Sequence, residues 1–180
     1  MKRLFPIVVS LLLLGAAASD AQVKWMVGAR LGLDIGIYSL PSAAPVLNFY
    51  GLQTNNSTSS SSTNAGLLIG PTAEVIFAKQ FAVTTELDII TTGGTPIIWA
   101  NDFKVYFPIS GSQIKPYANA GFALEFFAGG PYFGVSAGGG ALFPVAKNLY
   151  IPADLQFGIF FPSYGTGFFI GITSGVRYVF

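Results

Sequence analysis

Glu86 and Asp88 are the two carboxylates of this chain best placed for chemistry, two residues apart in an alternating segment and therefore on one face of a strand. Such a pair suits acid–base or metal work only with suitable partners. The sequence contains no histidine and no cysteine, which removes Ser-His, Cys-His and imidazole-metal arrangements. Serines 57, 59, 60, 61 and 62 have no base in reach and read as a flexible polar segment. The run Gly138-Gly139-Gly140 lies inside an apolar alternation rather than between a strand and a helix, so it is no phosphate loop. On an inward face, glycine makes room for a bulky neighbour. No catalytic residue, metal site or cofactor is expected. The carboxylates instead predict partners among Arg30, Lys104 and Arg177, because buried charges are paired.

The elements that carry these residues show a period of two. From Trp25 to Tyr38 the odd positions are Trp, Val, Ala, Leu, Leu, Ile and Ile, and the even ones are Met, Gly, Arg, Gly, Asp, Gly and Tyr. One strand face is greasy and the other small or polar. Hydrophobic residues make up 52% of the chain and charged residues 9%, far below the roughly one quarter usual on soluble domains. The polar face therefore belongs inside a closed barrel and the apolar face against lipid. Two charge-free stretches, Phe126–Ala146 and Leu155–Val176, are too dense in glycine and proline to be membrane helices.

Residues 1–21 read as a cleaved secretory signal. Lys2 and Arg3 precede the apolar run Leu4–Ala18, and Ser19-Asp20-Ala21 is a small-x-small cleavage site. About 15 apolar residues fall short of the roughly 20 of a membrane anchor. With Lys2, Arg3 and Asp20 removed from nine basic and eight acidic residues, residues 22–180 keep seven of each. This neutral balance gives no basic patch for nucleic acid.

Eight strands are predicted: Lys24–Ser39, Leu67–Lys79, Phe81–Thr92, Ile97–Ile109, Ile114–Ala128, Phe133–Val145, Leu149–Phe161 and Gly167–Phe180. Each meets the roughly 9–11 residues of a tilted membrane strand, and the number is even. Tight connections at Lys79-Gln80, Ser110–Gln113 and Ala146–Asn148 alternate with connections at the other end, where Leu40–Gly66 forms one long outer loop. The fold class is an all-β, eight-stranded antiparallel up-and-down transmembrane barrel. Arg30, Asp34, Glu74, Glu86, Asp88, Asp102, Lys104, Lys115, Glu125, Asp154 and Arg177 all fall on the inward phase. Asn101 and Ser174 break the pattern, Asn101 being placed near the outer rim. Outward aromatics gather at the strand ends in two groups, one with Trp25, Phe81 and Tyr178 and one with Trp99, Phe133 and Phe168. Interfacial girdles have this arrangement.

On these residues the chain resembles the small eight-stranded bacterial outer-membrane barrels of the OmpA, OmpX and OmpW type. The resemblance covers residues 22–180, and its most specific feature is the alternating C-terminal Val176, Tyr178 and Phe180. In such barrels this pattern implies recognition by the outer-membrane assembly machinery. The resemblance further implies a Gram-negative outer-membrane location and lipid as the surrounding partner; a monomer is expected, although the lipid face of a monomer and a trimer read alike.

Two readings of the lumen follow. A belt of Arg30, Glu74, Glu86, Asp88, Lys104, Asp154 and Arg177 would close it, with Arg30–Glu74, Glu86–Lys104 and Asp154–Arg177 as the expected neighbours. The protein is then a non-enzymatic envelope or surface-contact barrel. Alternatively, Ile90, Ile98, Phe127, Phe160 and Phe169 on the inward phase of the outer half form an apolar cup. That cup would bind or pass a small hydrophobic or lipid-like molecule.

Overall fold

A computed structural model describes residues 23–40, 60–77, 80–91, 95–127, 130–162 and 165–180, with the side chains of 38–40, 60–62, 127 and 130 outside that description. Eight strands form a closed barrel in sequence order: β1 Lys24–Leu40, β2 Ser60–Phe77, β3 Phe81–Thr91, β4 Ile97–Tyr106, β5 Lys115–Phe127, β6 Gly130–Ala146, β7 Leu149–Phe161 and β8 Thr166–Val179. Every neighbouring pair is antiparallel, and β1 closes on β8 from Met26↔Val179 to Ser39↔Thr166. The signal segment 1–21 and residues 41–59 lie outside the described residues.

Side-chain alternation explains the wall. Along β3 the burial pattern is strictly alternate, with Ala82, Thr84, Glu86, Asp88 and Ile90 inside and Phe81, Val83, Leu87 and Ile89 outside. The exterior is predominantly apolar, and on it Leu31, Ile69 and Ile172 are each more than half exposed. Aromatics cluster on it: Phe81 stacks on Phe103 at 5.8 Å and on Phe77 at 6.4 Å, and Tyr178 meets Phe180 edge-on at 5.0 Å. Nine of the eleven inward-phase charges are buried, while Lys115 and Asp154 are partly buried.

Two connections and the placement of one residue differ from expectation. The Leu40–Gly66 loop is shorter than predicted, because β2 begins at Ser60 and pairs with β1 from Leu40↔Ser60 to Leu33↔Leu67. Backbone hydrogen bonds extend the wall there through Ser, Thr and Asn, which leave no apolar period to read. The connection expected to be tight at Ser110–Gln113 spans Phe107–Ile114, since β4 stops at Tyr106, two residues before Pro108. Its tip is a turn in which Ser112 N donates to Ile109 O at 3.1 Å, with Gly111 at φ 77°. Asn101 lies mid-strand between Thr85 and Phe122 rather than at the rim, and nothing in the structure explains it. Ser174 has a partner: its hydroxyl donates to Pro152 O at 2.8 Å.

The end of the barrel with the connections at 78–80, 107–114 and 147–148 is called the turn end, and the other the loop end. Two apolar layers cross the lumen. Leu68, Ile90, Ile98, Ala100, Ala123 and Phe160 pack together toward the loop end. Met26, Ala82, Tyr106, Tyr117 and Leu142 pack toward the turn end.

Candidate functional site

Glycine on the inward faces of β8, β1 and β2 decides which charges meet. Arg30 sits between Gly28 and Gly32 on β1 and opposite Gly70 of β2 and Gly175 of β8. A Cβ on Gly175 would come 2.9 Å from Arg30 Cα, and one on Gly70 would come 2.5 Å from Asp88 Oδ1. The cleared surface lets the guanidinium cross β2 and reach β3. Arg30 Nε donates to Asp88 Oδ1 at 2.8 Å, Nη2 to Asp88 Oδ2 at 2.5 Å, and Nη1 to Glu86. The two parallel bonds to Asp88 are the fork geometry that makes arginine–carboxylate pairs strong and directional.

Glu74, on β2, gathers a second set. Its Oε2 accepts from Lys104 Nζ at 2.9 Å, Arg177 Nη1 at 2.7 Å and Thr84 Oγ1 at 3.1 Å, and its Oε1 accepts from the Tyr106 hydroxyl. Arg177, on β8, ties the sets together, with Nη2 3.5 Å from Glu86 and 3.9 Å from Asp154. Lys104 Nζ also lies 4.3 Å above the Tyr117 ring, and the Tyr117 hydroxyl donates to Asp154. The result is one chain of contacts, Arg30–Glu86–Arg177–Glu74–Lys104, with Asp88 and Asp154 as branches.

All seven residues of the expected belt are thus drawn together, but two of the three expected pairings are not made. Arg30 meets Glu86 and Asp88 instead of Glu74, and Lys104 meets Glu74 instead of Glu86. Adjacent-strand reasoning fails because a long arginine over glycine reaches a strand farther than its neighbour. The third pair, Asp154–Arg177, is present at 3.9 Å, near the limit of an ion pair.

Asp102 was not singled out by the sequence. It is buried and accepts three neutral donors: Asn119 Nδ2 at 2.8 Å, Gln156 Nε2 at 3.0 Å and Ser136 Oγ at 3.1 Å. These come from β5, β7 and β6, so only the closed barrel assembles them. The void among the ionic groups, lined in part by Arg30, Glu86, Asp102 and Lys104, is about 10 Å³, room for about one water.

The expected cup residues Ile90, Ile98 and Phe160 are buried in the loop-end apolar layer, and Phe169 stacks on Phe160 at 5.3 Å. The side chain of Phe127 lies outside the described residues. Val176 and Tyr178 point outward near the turn end, and Phe180 N donates to Trp25 O at 2.9 Å. Among the described residues no group of histidine, cysteine or acidic side chains is arranged to hold a metal.

No family model matches the chain, and no curated protein does. Solved structures do. Neisserial surface protein A superimposes with a TM-score of 0.63 at 12% identity, covering 89% of this chain and 99% of that one. The N-terminal β-barrel domain of Pseudomonas aeruginosa OprF gives 0.59 at 15% identity, covering 89% and 100%. At such identities the likeness is one of fold. This chain has the fold of the small eight-stranded outer-membrane barrels.

Proposed function

We propose that this protein is an integral barrel of the bacterial outer membrane, exported by a cleaved signal at 1–21 and assembled through Val176, Tyr178 and Phe180. Its role is structural or one of surface contact, carried by residues 41–59 between β1 and β2, and it acts as a monomer without enzymatic activity. The observation that carries the reading is the buried ionic network, closed on both sides by apolar layers and leaving a void of about 10 Å³. Eight strands leave a lumen only wide enough for side chains or one small ligand, and here side chains fill its middle. The apolar exterior supports lipid as the solvent of the wall, since its alternation is the inverse of a soluble barrel's. Mutual packing of Ile90, Ile98 and Phe160 speaks against the alternative of a loop-end ligand cup.

Two measurements test this. In planar bilayers the wild-type barrel gives no steady conductance; a long-lived open channel would sink the closed-lumen reading. On intact cells, a Ser57→Cys variant reacts with a membrane-impermeant maleimide, a clean test because the chain has no other cysteine. Labelling only after the envelope is broken would remove the surface-contact role.

A further inference from the structure

A large hollow lies at the turn end, opposite the loops, and Tyr106 stands between it and the ionic network. It encloses about 760 Å³, within the usual range for a small-molecule site. Lys24 at the start of β1 and Lys115 at the start of β5 line it from opposite sides of the eight-stranded ring. Tyr106 and Tyr150 line it with Ile76 and Ile109, the last from the Phe107–Ile114 connection. Neither lysine has a carboxylate partner within ion-pair distance among the described residues, and no carboxylate lines the hollow. Lys115 is nevertheless held in place: its Nζ donates to Tyr150 OH at 3.3 Å and lies 4.8 Å from that ring's centroid.

This contrasts with the interior. There Arg30, Lys104 and Arg177 pair with Glu74, Glu86, Asp88 and Asp154, so each of these three cations is committed to an acid. The two cations at the turn end are not committed. Ammonium groups set in apolar and aromatic walls favour a ligand that brings one negative charge and covers hydrophobic surface.

We propose that this hollow binds a small amphipathic anion, a single carboxylate or phosphate joined to an apolar group. The anionic head lies between Lys24 and Lys115, and the apolar part rests on Ile76, Ile109 and the tyrosine rings. The same chemistry is available from a phospholipid of the facing leaflet or from a free single-chain amphiphile. Which compartment the hollow faces rests on the outer-membrane reading above; the site itself does not.

The test uses the full barrel in dodecyl maltoside micelles, with amide NMR shifts at Ser112, Ile114 and Lys115 as the readout. Dodecyl phosphate produces saturable shifts there, and the Lys24→Gln/Lys115→Gln variant weakens the apparent affinity at least ten-fold. Single Lys24→Gln at an exposed position weakens it several-fold and serves if the double variant fails to fold. Non-saturating shifts, or affinity unchanged by either variant, would overturn the site. Inorganic phosphate acting as well as dodecyl phosphate would overturn the ligand class. In nanodiscs, the same shifts on adding phosphatidylglycerol to a phosphatidylcholine bilayer support the leaflet lipid as source. Shifts with free dodecyl phosphate alone support a free amphiphile.

Discussion

Replacing Arg30 with Met removes the cation that joins Glu86 and Asp88 while keeping much of its apolar stem. Three hydrogen bonds are lost, those from Nε, Nη1 and Nη2, and two buried carboxylates are left facing one another. Breaking one side of a buried ion pair costs about 3–5 kcal/mol, most of it from the stranded charge. Arg177 offers Glu86 only a contact at 3.5 Å and Asp88 none, so it does not rescue the variant. Adding Asp88→Asn removes one stranded charge, so the double variant recovers about 1–3 kcal/mol relative to the sum of the singles. Urea unfolding from lipid vesicles, followed by fluorescence of Trp25 and Trp99 on the exterior, measures both. A loss below about 1 kcal/mol for Arg30→Met, or singles that add within about 0.5 kcal/mol, would refute the argument that these groups form one unit.

The other predictions probe different parts of the barrel. Gly70→Ala costs about 1–3 kcal/mol in the same assay, because its Cβ would lie 2.2 Å from Leu87 O and 2.5 Å from Asp88 Oδ1; a neutral result would remove glycine's role in clearing the arginine's path. Asp102→Asn turns an acceptor of three neutral donors into a group with one oxygen and costs about 1–3 kcal/mol, whereas equal stability would show that the cradle is not held. Leu31→Arg on the outer face costs about 2–4 kcal/mol in a bilayer if it sits near the midplane; no loss there would count against lipid on that face. Stability of the ionic layer changes little between 0.05 and 0.5 M salt (values on the order of common buffers), since buried pairs are weakly screened, and steep salt dependence would place those charges in water.

How much of this was legible in the sequence depends on which interaction set the outcome. The alternation in β1 and β3 is dictated by a period of two, so face and fold could be read from residues such as Leu31, Leu33, Glu86 and Asp88. The start of β2 could not, because Ser60–Gly66 is held by backbone pairing to β1 and needs no apolar side chains. Belt membership followed from phase, whereas its pairings depended on register and reach. Gly28, Gly32, Gly70 and Gly175 around Arg30 were the available signal, since empty inward faces on three adjacent strands mark where a long side chain crosses. The Asp102 cradle had no local signature: Asn119, Ser136 and Gln156 are ordinary polar residues until three strands bring them together. The turn-end hollow was equally hidden, as Lys24 and Lys115 stand at the starts of strands on opposite sides of the ring.

The most direct test of a lipid-facing wall around a closed polar interior is spin-label accessibility in outer-membrane-like vesicles. The absence of native cysteine makes each single-cysteine variant unique. Labels at Leu31, Ile69 and Ile172, all outward, respond strongly to oxygen and weakly to a water-soluble nickel chelate. Labels at Ser136 and Thr173, both buried inside, respond weakly to both. Strong nickel access at the outward set would contradict the membrane wall, and strong nickel access at the inward set would contradict the closed lumen.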